Sequence, residues 1–294
     1  MKLKRIGIVG YGEVGKIFSA GLKTGVDSIS AWDIKFDVAG VRDAELAHAA
    51  QAGVHGCASL QELCERADLI ISAVTASNAL AVAQGVQPHI RPGTYFLDIN
   101  SASPRTKQLA AGLIDGAGGH YVEAGVMTSV PPYGIRVPML LGGDKAAALA
   151  EFLSGLGMDA KRVAAEIGVA SAIKMCRSVM IKGMEALVIE SYATARKYGV
   201  EDYMIATLQE TFPSIDWNAQ GSYFFSRVAQ HGKRRAEEMR EVANTVREAG
   251  FEPWMAAAIA EKHDWMAQQA RQGTFDGLLT GAPWRELADR LLQK

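Results

Sequence analysis

Apolar positions follow two different rhythms along the chain. In the front half, short, mainly apolar stretches occur at residues 3–9, 29–32, 68–74, 94–99, 120–126 and 137–141. Between them lie segments in which apolar residues recur three or four apart, at 16–22, 43–52, 59–66, 78–84, 104–113 and 145–153. The first kind fits strands buried on both faces, and the second fits helices. Their alternation predicts a doubly wound, mostly parallel sheet. Ligands bind such sheets beyond the carboxyl ends of the strands. The loops after Val9, Val74, Ile99 and Val126 are therefore the informative ones.

From Glu166 the rhythm changes. Residues 166–198 hold no proline, and Ile173, Cys176, Met180, Met184, Leu187, Val188 and Tyr192 recur at helical spacing, as one stripe facing one way. A helix of this length would run about 45 Å, too long for a mere crossover. It is expected to be the spine between two domains. Beyond it the pattern is wholly helical, at 202–212, 217–228, 233–249, 253–272 and 285–292. The expected architecture is an α/β domain over residues 1–165 and an all-α C-terminal domain over 166–294, which begins with the spine helix.

A length of 294 residues suits two domains, and 49% hydrophobic residues suffice for packed cores. A formal charge of −1 gives no bulk attraction to nucleic acid or membrane surfaces. The apolar run at 3–9 is too short for a signal peptide or a membrane span. Cys57, Cys64 and Cys176 are odd in number and stand at no metal-ligand spacing. They are read as reduced thiols of a cytoplasmic protein, with no metal expected.

The first apolar run is followed by Gly10-Tyr11-Gly12-Glu13-Val14-Gly15 and then by a helical segment. In that setting Gly10 permits a tight turn, Gly12 lets a pyrophosphate approach the backbone, and Gly15 lets helix and strand pack closely. Asp33 ends the second run, at the position where an acid accepts hydrogen bonds from the adenosine ribose. Its charge favours NAD, because it repels a 2′-phosphate; Lys35, two residues on, leaves NADP open. Val74 and Thr75, closing the third run, are placed at the same cofactor edge, with Asn100.

Asn100-Ser101-Ala102-Ser103-Pro104 is a polar loop before a helix. Ser103 and Pro104 suit the N-cap and the first helical position, which leaves Asn100 and Ser101 to face a ligand carboxylate. The loop from Met127 and Thr128 to Gly134 lies at the same edge. Further on, His231-Gly232-Lys233-Arg234-Arg235 is read as opening a helix. Cations oppose the dipole there, which suggests that His231 and Arg234 hold an anionic substrate. The alternative is ion pairing with Glu237, Glu238 or Glu241 on the solvent face.

Together these residues resemble the β-hydroxyacid dehydrogenase family, which includes 3-hydroxyisobutyrate, tartronate semialdehyde and phosphogluconate enzymes. The resemblance rests on Gly10 to Gly15, Asp98 to Pro104, Gly142-Gly143, and the spacing of Gly168 to Lys174. Arg234 to Ala243 resembles a phosphogluconate-dehydrogenase-like branch with a C-terminal domain of unknown function. Two positions depart from the family pattern. Ser178 stands for the asparagine that follows the catalytic lysine, and Met127 stands for a carboxylate-binding serine.

The resemblance implies a Rossmann domain joined to a helical domain, a homodimer or tetramer, and an active site between domains. It also implies a small carboxylate-bearing substrate and Lys174 as the general acid/base for hydride transfer to or from NAD(P). A base needs its neutral form, which burial and a nearby positive nicotinamide favour. A lysine snorkelling its head to solvent is the competing reading. Ser178, one helical turn on, would donate to substrate, and Lys182 would extend the polar row. Met127, with Thr128 beside it, points to a more apolar or bulkier substrate group. Oxidative decarboxylation, imine reduction on the same scaffold, and a non-catalytic dinucleotide sensor are the alternatives.

Overall fold

The structure is a computed structural model that describes residues 3–279 and 281–293. Its described residues divide into two compact units, residues 1–175 and 176–294. In the first unit β1 (Arg5–Val9), α1 (Glu13–Leu22), β2 (Ser28–Trp32), α2 (Arg42–Gln51), β3 (His55–Gly56), α3 (Leu60–Arg66) and β4 (Leu69–Ser72) follow one another. Then come α4 (Ala79–Val86), β5 (Tyr95–Asp98), α5 (Pro104–Gly116), β6 (His120–Val126), β7 (Met139–Gly142), α6 (Ala146–Gly155) and β8 (Ala160–Ala164).

Among the described residues these strands form one eight-stranded sheet in the order β3-β2-β1-β4-β5-β6-β7-β8. Neighbours are parallel except β6 and β7, which pair antiparallel. Strand side chains alternate between two cores. Ile6, Ile8, Leu69, Ile71 and Leu97 belong to one. Val9, Ile70 and Phe96 belong to the other, with Leu63 of α3, Val82 of α4 and Ile114 of α5. A sheet covered on both faces is what the mainly apolar stretches lead one to expect.

The apolar pattern does not reveal β3 or β8. The first is two residues long, and the second is an edge strand whose Lys161, Arg162 and Val163 are exposed. Charged exposed edges protect a sheet from further pairing, and they carry no apolar signal. The cap at Ser103 is as expected: its Oγ accepts from the Thr106 amide at 3.3 Å, with Pro104 opening α5.

α7 runs without interruption over Val169–Tyr198 and crosses the division between the units at Met175 and Cys176. The apolar stripe expected along it is split. Val188 and Tyr192 are buried, whereas Ile173, Met180 and Leu187 are exposed. At about 100° per residue, Val188 and Tyr192 lie about 100° and 140° round the helix from Leu187, so they face another way.

In the second unit α8 (Glu201–Thr211), α9 (Trp217–Glu248), α10 (Trp254–Arg271) and α11 (Trp284–Leu292) complete the chain. Tyr192, Phe225 and Trp284 centre their core, with the Tyr192 and Trp284 rings 4.8 Å apart and inclined at 66°. α9 corrects the expected break near residue 231. Asp216 caps a single helix of 32 residues, and Gly232 lies inside it. A Cβ at Gly232 would come within 2.6 Å of the His263 carbonyl of α10. That glycine marks close helix packing and not a helix end. No N-terminal dipole therefore opposes His231 or Arg234.

Candidate active site

The site is built at the carboxyl ends of β1, β4 and β5. Gly10 has φ of +94°, and a Cβ there would lie 2.4 Å from the Ala73 carbonyl oxygen. At Gly15 a Cβ would lie 2.1 Å from the Gly10 carbonyl oxygen, so neither position tolerates a side chain. Gly12 has nothing within 4 Å of a Cβ. It is also the N-cap of α1. An open cradle therefore faces the unpaired amides of a helix start, which suits a pyrophosphate. Glu13 and Val14 lie in the first turn of α1.

Asp33 closes this cradle. One of its oxygens accepts from the Tyr11 amide at 2.7 Å and the other from the Lys35 amide at 2.9 Å. The carboxylate is thus fixed beside the glycine turn, and each oxygen keeps a second lone pair for a ribose hydroxyl. The Tyr11 side chain turns away into the core, its hydroxyl 3.3 Å from His48 Nδ1. Its contribution to the cradle is backbone. The Lys35 ammonium lies 3.7 Å from Glu45, which also pairs with Lys16 at 2.7 Å.

Asn100 corrects the expectation that its side chain is free for a ligand. It is buried, its Oδ1 accepts from the Val74 amide at 2.6 Å, and its Nδ2 donates to Ser72 Oγ and Asp98 Oδ1. Both amide hydrogens are spent within the protein, and the side chain instead ties the loop after β4 to the loop after β5. Thr75, beside Val74, is exposed, and its Oγ1 accepts from Asn78 at 2.9 Å.

Beneath Asn100 lies a buried ionic network that sequence inspection misses. Lys107 and Asp98 are 0% and 1% exposed, with Nζ 2.8 Å from Oδ1. Tyr121 donates its hydroxyl to the other Asp98 oxygen at 2.7 Å. Burial and the Asp98 charge push the Tyr121 phenol well above its usual range, so it stays a donor. One signal was present: Lys107 shares the inward stripe of α5 with Ala110, Ala111 and Ile114, where an unpaired lysine would be costly.

Ser101, left half-buried above this network, accepts a hydrogen bond from Lys174 Nζ at 2.5 Å. Lys174 is half-buried on the second turn of α7. That turn is anchored by Glu123 of β6, which is fully buried. The carboxylate of Glu123 accepts from the amides of Gly168, Ala170 and Ser171 at 2.7, 3.0 and 3.2 Å. A negative group on the free amides of a helix start satisfies them and complements the dipole. Two residues along β6, a Cβ at Gly125 would stand 2.8 Å from the Ala170 carbonyl oxygen and 3.4 Å from Lys174 Cβ. The strand therefore holds the lysine-bearing turn closely. Met127, just after this strand, is half-buried and Thr128 is exposed.

The remaining predicted residues belong to the second unit. Ser178 Oγ lies 3.4 Å from Lys182 Nζ, and that ammonium is 2.7 Å from Glu238. His231 and Arg234 are exposed, and Arg234 stands 3.8 Å from Glu238, one turn along α9. The buried cation of that segment is its neighbour Arg235, paired with Glu185, which was not singled out from sequence.

A doubly wound sheet with this glycine cradle and a fixed aspartate at its carboxyl edge is the architecture of a dinucleotide-binding domain. A family profile described as the NAD binding domain of 6-phosphogluconate dehydrogenase matches residues 5–159, and the chain belongs to that family. It is an NAD(P)-binding, hydroxyacid-dehydrogenase-like protein. A second profile, described as a domain of unknown function, matches residues 195–266.

Among solved structures, a conserved hypothetical protein from Sinorhizobium meliloti 1021 is 36% identical, with a TM-score of 0.79 over 99% of this chain and 97% of that one. A conserved protein described as structurally similar to 3-hydroxyacid dehydrogenases is 30% identical, with a TM-score of 0.71 over 91% and 98%. The 3-hydroxyisobutyrate dehydrogenase of Mycobacterium tuberculosis, solved with L-serine, shares the fold at 16% identity, with a TM-score of 0.68 over 99% of both chains.

Proposed function

We propose that this protein transfers a hydride between a nicotinamide cofactor and a β-hydroxyacid or its semialdehyde, with Lys174 as the general acid/base. The observation that carries the reading is the contact of Lys174 Nζ with Ser101 Oγ, at the sheet edge that also bears the dinucleotide cradle. Bound nicotinamide supplies the hydride acceptor or donor. The residues of the chain supply position and the proton. A neutral Lys174 amine takes the hydroxyl proton in the oxidising direction, and its ammonium returns it in reduction. Ser101 holds that nitrogen in place and offers its own hydroxyl to a substrate oxygen.

NAD is preferred over NADP in this reading. Asp33 presents a carboxylate where a 2′-phosphate would sit, and Lys35 is drawn toward Glu45. The substrate bears a carboxylate, and Met127 in place of a hydroxyl side chain favours a bulkier or more apolar neighbour to it. The working form is a homodimer in the cytoplasm. Among the described residues no helix is long and apolar enough to cross a membrane.

The test is a turnover screen that follows reduced nicotinamide by absorbance. β-Hydroxyacids are offered with NAD and NADP, and semialdehydes, keto acids and cyclic imines with the reduced cofactors. Turnover of a hydroxyacid or semialdehyde is expected, faster with the NAD couple. Turnover confined to cyclic imines overturns the substrate assignment. Cofactor binding with no turnover across the panel favours a dinucleotide sensor. Carbon dioxide release in step with oxidation would mark a decarboxylating variant.

A further inference from the structure

Away from the dinucleotide cradle, three side chains of ligand type converge at the β3 edge of the sheet. His55 and Cys57 flank Gly56, so they leave an extended chain on the same side. Glu62 comes back to them from the first turn of α3. The imidazole nitrogen, the thiol sulfur and a carboxylate oxygen all lie within 4.8 Å of one another.

The backbone holds this group together. The Cys57 amide donates to the Ala31 carbonyl of β2 at 2.7 Å, which fixes the thiol beside the sheet. Ser59 caps the Glu62 amide at 3.1 Å, and Glu62 Oε2 accepts from the Ala58 amide at 2.8 Å. That leaves Glu62 Oε1 turned toward His55 Nε2, 2.6 Å away, with Arg66 at 3.7 Å from the same oxygen.

We propose that His55, Cys57 and Glu62 bind one divalent ion of the zinc class, leaving a fourth position to water. One sulfur, one nitrogen and one oxygen form a borderline-soft set that favours zinc-like ions over magnesium or calcium. A thiolate and a carboxylate neutralise the ion, so the site carries no net charge beside the sheet. Tetrahedral bonds of about 2.0–2.3 Å place such donors roughly 3.4–3.6 Å apart. The His55–Glu62 pair has to open a little and the thiol has to draw in. His55 is exposed and Glu62 sits in the first turn of α3, so these two side chains can move without disturbing the core.

Binding breaks the Cys57 S–H bond, forms a sulfur–metal bond and releases one proton to solvent. The ion displaces that proton, so affinity falls as pH is lowered. The structural consequence is a staple. β3 pairs with β2 at only two positions, and the ion would tie it to α3, next to the strand that precedes Asp33. Spacing along the sequence hides the site because its third ligand belongs to the next element.

The test is anaerobic titration of the full chain with cobalt(II), which reports a thiolate ligand by a near-ultraviolet charge-transfer band. It needs no substrate and is independent of the proposed oxidoreductase activity. One equivalent per chain is expected to produce the band, with displacement by zinc and no displacement by magnesium. His55→Gln, an exposed substitution with little effect on folding, and Cys57→Ser are expected to weaken binding more than about 100-fold, beyond the loss typical of a supporting residue. Cys176→Ser, at the exposed thiol, is expected to leave the band unchanged. No band at saturating cobalt, a band that survives both ligand substitutions, or one that disappears in Cys176→Ser would overturn the proposal.

Discussion

Lys174 and Ser101 are 73 positions apart, yet the lysine Nζ donates to the serine hydroxyl at 2.5 Å. The contact joins the start of α7 to the loop after β5. If Lys174 moves the proton, Lys174→Ala should lower turnover by about 10²–10⁴-fold. Cofactor affinity should stay near that of the wild type, because the cradle lies on β1 and α1. Ser101→Ala removes one hydrogen bond worth about 0.5–1.5 kcal/mol, so its effect should stay near tenfold. Steady-state kinetics alongside fluorescence titration of the reduced cofactor separate the two quantities. Near-normal turnover in Lys174→Ala would remove the lysine from the mechanism.

Glu123 gives a second handle on the same lysine. Its carboxylate answers three amides at the start of α7. Glu123→Gln keeps the size but turns one acceptor into a donor that meets an N–H group. A buried donor left without a partner costs about 1–3 kcal/mol. The variant should therefore lose about 1–3 kcal/mol of stability, read as a lower urea midpoint. Turnover should also fall at temperatures where the variant is still fully folded, because the turn that carries Lys174 loses its anchor. Unchanged stability and unchanged kcat together would show that the amides find other partners.

These relationships explain what the sequence does and does not disclose. Gly10, Gly15 and Ser103 are legible because their roles are local: a turn, a close approach and a helix cap each need a particular residue at a particular spacing. Gly232 has the same local look, yet a carbonyl from α10 explains it, and that neighbour is not visible in the chain around it. Lys107 and Arg235 are each buried against an acid from another element, Asp98 and Glu185, so neither pairing has a short-range signature. Asn100 reads from the sequence as free to face a ligand, but its side chain is spent on bridging two loops. The chemistry of a residue can be read from sequence more readily than the direction in which it points.

His263 of α10 makes stability depend on pH. It is fully buried, and neither ring nitrogen has a hydrogen-bond partner among the described residues. Arg235 and Lys182 face it, as do Glu238 and, at 3.7 Å, Glu185. Burial, reinforced by the two cations and opposed by Glu238, pushes the imidazole down to about 3. The folded chain therefore keeps the ring neutral, whereas the unfolded chain protonates it below about pH 6.5. Stability should be unaffected by this group above that point. It should fall by about 1.4 kcal/mol per unit as pH drops toward 3. His263→Leu should flatten that acid limb. Urea denaturation of both proteins from neutral pH to about pH 4.5 reads the difference; parallel curves would mean that the ring is protonated in the fold.

The outward face of α7 predicts the oligomeric state. Met180 and Leu187 are 66% and 59% exposed, and Ile173 is 40% exposed. These residues stand seven apart, the spacing that keeps apolar side chains along one seam between paired helices. Apolar residues repeated along one helix face are unusual on a chain that works alone. A second copy of the same helix is the partner the proposed homodimer supplies. Sedimentation equilibrium should therefore give the mass of two chains. Met180→Glu and Leu187→Glu should each place an unpaired charge in the seam, at a cost of roughly 3 kcal/mol or more. Dissociation should then become easier by more than about 100-fold. Far-ultraviolet circular dichroism should stay unchanged, because both side chains are exposed within one chain. A wild-type mass of one chain, or a two-chain mass that survives both substitutions, would place the contact elsewhere or remove it.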